Sequence, residues 1–312
     1  MPDVAIIGAG QTVFMRKCGI APRELCFDAF KEAMEGLDLT NKSIDASIIC
    51  SAPEYDKQRS PAGAISEYLG FTPKPTFYLE TVCSSSTMGV RVAWSMIQSG
   101  LHKVIAVVGF QKMSELTSRD SAERMGRGGD VMWESPFGLI MPAGYGMYAR
   151  AHMATYGTTS EQLGKIRVKA AHYGSMNPKA TYRKVVTLQE VMTSAVIADP
   201  LKMFDCCANA DGASCIILAN ADVARQACKK PIWVVGLGAA SDTMTMSGRE
   251  LLTGLKCAQQ AASEAYAMAK VTQADIDVAE VHDCFTIAEM MAYEDLGFAK
   301  PGQGPKLIEE KQ

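Results

Sequence analysis

The sequence predicts an α/β fold built from two duplicated halves, each a mixed sheet covered by helices, with the second half cut short. Two observations carry this. Short apolar runs that end in glycine alternate with amphipathic helical stretches. One strand–helix–strand unit also recurs in the same order. The run Val4-Ala5-Ile6-Ile7-Gly8-Ala9-Gly10 returns 228 positions later as Ile232-Trp233-Val234-Val235-Gly236-Leu237-Gly238, glycine for glycine, and Ile44-Asp45 returns 232 positions later as Ile276-Asp277. Small residues repeat in the intervening helix, and the joint match argues for duplication where any single match would be weak.

The first element is the strand at residues 4–10, where a glycine-ended apolar run marks a buried strand and a close turn. It invites a dinucleotide reading, but Val13 stands where the third glycine of that fingerprint belongs and the helix does not open until Pro22, so a nicotinamide site is the weaker reading. A helix over 22–36 follows, with Leu25, Ala29, Ala33 and Leu37 on one face, and then a strand at 44–50.

Thr76-Phe77-Tyr78-Leu79, β-branched and aromatic, reads as a strand, and residues 88–98 as a helix stopping at Ser99-Gly100. Cys83 therefore falls on a strand-to-helix turn, where the free N–H groups and positive end of the helix would lower a thiol pKa toward neutrality. It reads either as a nucleophile or as a buried structural thiol. Ser84 to Ser86 are candidate helix caps. The helix is apolar on more than one face (Met88, Val90, Val92, Ala93, Trp94, Met96, Ile97), which predicts burial at the domain centre.

A further buried strand is expected at 103–109. Periodicity weakens from 112 to 201, a stretch rich in Met, Gly and Arg that reads as an inserted loop region with one or two helices, 144–156 and 160–172. Trp133, Phe137 and the methionines around them would form either an apolar tunnel or a subunit interface. Cys206 to Leu218 is a tight turn entering a strand, with Asn209, Asp211 and Gly212 explained by turn chemistry. The repeated half then gives a strand at 232–238, a helix over 255–270 and a strand at 276–282 that ends in His282-Asp283-Cys284-Phe285, a position where α/β folds place chemistry. The expected division is 1–111 with 202–230 as the first half, 112–201 as the insertion and 231–312 as the incomplete second half.

Bulk properties narrow the classes. The 312 residues carry a net charge of −3, 48% hydrophobic and 21% charged residues, with no basic stripe for nucleic acid. Ten scattered cysteines, without CxxC pairs or zinc spacing, suit a reducing cytosol and predict no metal site. The opening Met1-Pro2-Asp3-Val4 lacks the basic and long apolar regions of a signal peptide, and no run of about 18 apolar residues follows, so a cytoplasmic protein with no membrane contact is expected.

With the Cys83-Ser84-Ser85 turn, Asn209-Ala210-Asp211-Gly212-Ala213 and His282-Asp283-Cys284-Phe285 together, the chain resembles the thiolase superfamily, and within it the sterol-carrier-protein type thiolases. The resemblance runs the whole length, including 148–163 and Asn177-Pro178-Lys179-Ala180. Its most specific part is the His-Asp-Cys-Phe motif, which separates this group from ketoacyl synthases. It implies a layered α/β/α/β/α thiolase fold and cleavage of a 3-oxoacyl-CoA by coenzyme A to acetyl-CoA and a shortened acyl-CoA, or the reverse condensation. Coenzyme A would be a co-substrate, with no bound cofactor.

By the same resemblance Cys83 would take the acyl group, its N–H serving the tetrahedral intermediate. Cys284 would be the acid/base, and His282 would help hold a water in the oxyanion hole. The family further implies a homodimer or homotetramer, and in some relatives a small partner with a zinc ribbon and an oligonucleotide-fold-like domain. A further activating His, in a Gly-His-Pro-type motif, and a glycine-rich segment find no match in this sequence. Cys83 projects onto position 311 of the second half, so either the sequence is a fragment, the favoured reading, or it is a short form unable to activate Cys83 in the usual way. The alternative function is a non-catalytic thiolase-fold subunit that binds acyl-CoA or a partner protein.

Overall fold

The computed structural model describes residues 3–52 and 58–310. Met1 and Pro2 of the amino-terminal reading, and position 311 of the projected repeat, lie outside them. In chain order the elements are β1 (Val4–Gln11), α1 (Pro22–Ala33), β2 (Ala46–Cys50), α2 (Pro61–Tyr68), β3 (Thr76–Leu79), α3 (Ser85–Gln98) and β4 (Val104–Lys112). Next come α4 (Ser118–Gly126), α5 (Met141–Tyr156), α6 (Ser160–Met176), α7 (Leu188–Met192), β5 (Val196–Ala198), β6 (Leu201–Lys202), β7 (Asp211–Asn220) and α8 (Ala221–Ala227). The chain closes with β8 (Ile232–Trp233), α9 (Lys256–Ala269), α10 (Thr286–Asp295) and α11 (Gly304–Glu309).

Two compact units share these elements, Met1–Thr117 with Asn209–Val235, and Ser118–Ala208 with Gly236–Gln312. The first is built on a six-stranded mixed sheet of order β3-β2-β4-β7-β1-β8. β2 runs parallel to β3 and β4, while β7 lies antiparallel between β4 and β1, so the strand after the Asn209 turn is central to the sheet. One face packs on α1 and α2 through Leu25, Phe30, Ile65 and Phe71, and the other on α3 through Ile48, Ala93, Ile97 and Val107.

Sequence explains the helix starts. Pro22 opens α1 with its φ preset and no N–H to satisfy, and Glu24 accepts the Ala21 N–H at 3.0 Å. Thr159 and Gln162 box the start of α6 in the same way, their two hydrogen bonds measuring 3.2 and 2.9 Å.

The glycines of β1 sit within the strand, not in a phosphate-binding turn. A Cβ at Gly8 would lie 2.0 Å from the Ala33 carbonyl oxygen, and one at Gly10 would lie 2.1 Å from that of Ala29. Their absence of side chain lets α1 cross β1 at backbone contact, which removes the dinucleotide reading. Gly236 and Gly238 meet Ala265 and Ala261 of α9 in the same way, at 2.3 and 1.7 Å. The duplication is thus also a repeated packing device, glycine against helix alanine, although Gly236 and Gly238 lie past β8 in no strand.

The second unit departs from expectation in two respects. The 112–201 region holds more than the two expected helices, which are α5 and α6: it adds α4, α7 and β5, and α5 and α6 pack with α10 and α11 around Tyr148, Leu163, Ile166, Leu201, Phe285 and Met290. Methionine-rich and glycine-interrupted helices weaken the period that sequence reading depends on. The expected strands of the repeated half form no sheet there. Ile232–Trp233 joins the edge of the first unit's sheet beside β1, and residues 276–282 are in no strand. A strand holds only through ladder partners and a covered face, and Val278 is 80% exposed.

Candidate active site

Cys83 follows β3, in a single 3-10 turn (Val82–Ser84) that runs straight into α3. Val82 has φ +53°, a left-handed conformation that is costly for a β-branched residue and that recurs at functional turns. The turn is held by its neighbours. Glu80 accepts the Val82 N–H at 2.6 Å, Ser85 Oγ accepts the Thr81 N–H at 2.9 Å and donates to the Val82 carbonyl at 2.7 Å, and Ser84 Oγ donates to the Thr81 carbonyl at 2.8 Å. These serines brace the turn and do not cap the helix, a correction to the capping expectation.

Cys83 itself is exposed. Its thiol pKa is nonetheless raised, because the surrounding protein partly desolvates it, and its own backbone N–H offsets only part of that. Desolvation of the charged form thus works against the lowering toward neutrality expected from the helix end. Burial pushes the structural thiol of Cys50 further, up to about 12.

The helix behind Cys83 buries a single stripe, Ser85, Gly89, Ala93 and Ile97, one residue per turn. Val90, Val92, Trp94 and Met96 pack only partly, so the expected all-round burial of this helix is not found in the described chain. Close seating on the sheet depends on glycine. A Cβ at Gly89 would lie 2.7 Å from Cys50 Sγ, and one at Gly109 would lie 2.5 Å from Ser86 Oγ.

The second motif belongs to the other unit. His282 is exposed and Cys284 is half-buried, in a segment that is not a strand but that pairs briefly with residues 205–207. Thr286 Oγ1 donates to the buried Asp205 carboxylate at 2.9 Å, Cys206 and Phe285 form an antiparallel bridge, and the Cys207 N–H donates to the Cys284 carbonyl at 2.9 Å. Phe285 is buried and stacks on Tyr145, ring centroids 4.5 Å apart. Asp205, Cys207, Thr286 and Tyr145 thus position Cys284. Sequence reading missed them, and the adjacent cysteines at 206 and 207 were the only local signal.

Asp211 is fully buried at the start of β7, where it accepts the Ser114 N–H at 2.9 Å and the Cys18 N–H at 3.3 Å. It braces three segments of the first unit, a larger role than turn chemistry. His152 is fully buried, with Nδ1 2.7 Å from Thr158 Oγ1 and Nε2 3.3 Å from Glu294, so it is structural. Trp133 and Phe137, 76% and 81% exposed, border an open depression of about 420 Å³ with Glu134, Leu139, Met147 and Met246, not a closed tunnel. Among the described residues no cluster of three or more His, Cys, Asp or Glu could hold a metal, and no helix is long and apolar enough to cross a membrane.

Comparison with known proteins gives the family and the fold. The model of the thiolase N-terminal domain matches residues 4–222, and that of the thiolase C-terminal domain-like family matches residues 238–312. An acetyl-CoA acetyltransferase of Methanothermobacter thermautotrophicus is 36% identical over 312 residues, covering 99% of this chain and 81% of the relative. Sterol carrier protein 2 of Bos taurus is 31% identical over 322 residues, covering 98% of this chain and 59% of the relative. The solved Ltp2-ChsH2(DUF35) aldolase shares the fold with a TM-score of 0.86 at 24% identity, covering 99% of this chain and 80% of that one. With both domain models matched along nearly its whole length, the chain belongs to the thiolase family of acyltransferases.

Proposed function

We propose that the protein transfers acyl groups between thioesters, cleaving a 3-oxoacyl-CoA with coenzyme A to acetyl-CoA and a shortened acyl-CoA, or running the reverse condensation, through an acyl-Cys83 intermediate. The observation that carries this reading is the Cys83 turn: an exposed thiol on a strained, hydrogen-bonded strand-to-helix connection. A thiol suits thioester exchange because one sulfur replaces another at the carbonyl. The Cys83 N–H would serve the oxygen of the tetrahedral intermediate, and losing one such donor typically costs ~10²–10³ in rate. Cys284 would protonate the leaving acetyl-CoA carbanion and deprotonate the incoming coenzyme A, and His282 would help orient the water that stabilises the thioester oxygen.

A second reading is a thiolase-fold subunit that binds acyl-CoA or a partner without turnover, and the raised thiol pKa of Cys83 favours it. The solved aldolase whose name pairs Ltp2 with a DUF35 protein supports testing for a partner with a zinc ribbon and an oligonucleotide-fold-like domain. Self-association into a dimer or tetramer fits the same proposal. The test is acetyl-CoA formation from 3-oxoacyl-CoA probes of increasing chain length, in wild type and Cys83→Ala. The proposal expects turnover that falls at least ~10²-fold in the variant. Acyl-CoA binding without turnover in wild type would replace it with the second reading.

A further inference from the structure

Three consecutive residue pairs fix the register between residues 205–207 and 284–286: the Asp205–Thr286 hydrogen bond, the Cys206–Phe285 bridge and the hydrogen bond from Cys207 to Cys284. Antiparallel register therefore places Cys207 directly opposite Cys284. Directly opposed residues that share a backbone hydrogen bond have Cα atoms about 5.5 Å apart and side chains on one face. A disulfide spans Cα separations of about 4.4–6.8 Å, so a pair at this spacing is within bridging range and needs only side-chain rotation.

Cys206 is not the partner. It alternates to the face occupied by buried Phe285, and its thiol donates to the Lys202 carbonyl at 3.4 Å. Burial foremost, then neighbouring Asp205 and Cys207, push its pKa up to about 12. Cys207 is exposed and Cys284 half-buried, so a small oxidant has access to the pair.

We propose that Cys207 and Cys284 form a reversible disulfide under peroxide, a modification site that withdraws Cys284 from chemistry. The Cys207 thiolate attacks hydrogen peroxide, forming a sulfur–oxygen bond and breaking the peroxide bond to give a sulfenic acid and water. The Cys284 thiolate then displaces the sulfenic oxygen, which leaves as a second water. Two thiols and one peroxide thus give one disulfide and two waters. The pairing stands on the register alone. Its consequence, loss of a thiol that carries a proton in acyl transfer, rests on the proposed function.

The test treats reduced protein with hydrogen peroxide, blocks remaining thiols with iodoacetamide and maps peptides by mass without reduction. The expected product is a cross-linked peptide pair holding Cys207 and Cys284, lighter by two hydrogens than its parts. It should be lost in Cys207→Ser, kept in Cys206→Ser and reversed by dithiothreitol. Linkage of Cys207 to Cys206, or Cys284 driven to sulfinic acid equally in wild type and Cys207→Ser, would overturn the proposal. Because the map needs no activity, the two claims separate. A missing cross-link in an acyl-transferring protein removes the switch alone, and a cross-link in a protein that transfers no acyl group leaves the pairing and removes its catalytic consequence.

Discussion

Cys83 and Asp211 show how differently a single side chain can be legible. The position of Cys83 followed from the β-branched run before it and the apolar helix after it, because both signals are local. Its electrostatics did not follow, since desolvation depends on what folds around the sulfur. The left-handed Val82 is likewise invisible in a sequence that shows no glycine there. Asp211 looked like a turn residue because its partners, the Cys18 and Ser114 N–H groups, are 193 and 97 positions away. Replacing it leaves two backbone donors without their acceptor inside the first unit. Asp211→Ala should lower unfolding stability by ~2–4 kcal/mol and Asp211→Asn by less, read from urea midpoints; equal stability of Asp211→Ala and wild type would remove the bracing role.

At the scale of elements, helices were legible where their period survived, as in α1, α3, α5, α6 and α9, and the 276–282 strand was not, because a ladder depends on partners that its own sequence does not encode. The glycine–alanine crossings give the duplication a direct test. Gly10→Ala should loosen α1 and Gly238→Ala should loosen α9, each costing ~1–3 kcal/mol, with faster amide exchange confined to the affected helix. Uniform exchange across both helices in either variant would argue against two separate packing devices.

The α10 helix carries a pH dependence of its own. Burial raises the Glu294 pKa, but hydrogen bonds from His152 and from the Gly302 and Gly304 N–H groups outweigh it and leave the carboxyl below its ordinary 4.5. A carboxylate with a folded-state pKa below the unfolded value stabilises the fold fully above the ordinary value, and that contribution is lost as pH falls through the folded one. Thermal melts from pH 6 down to about pH 3 should therefore show an acid loss of stability that Glu294→Gln shares only in part.

For the molecule, the informative signal was repetition across 228 residues, which no local property reports. At the same scale, apolar side chains in and just before the repeated half stay open, as an unfinished sheet would leave them: Val235, Met244, Met268 and Val278 are exposed, and α9 has no buried residue. Surface of this kind is rarely left wet. Sedimentation at rising concentration should show association that weakens when Val278→Ser and Met244→Ser are combined, whereas a monomer unchanged over the same range would mean that the surface is tolerated.

The central claim, that Cys83 accepts the acyl group, is tested most directly by intact mass and peptide mapping after incubation with acetyl-CoA. The account predicts one acetyl group on the Cys83 peptide, absent from Cys83→Ala and removed by added coenzyme A. No adduct in wild type, or an acetyl group carried by another cysteine, would contradict it.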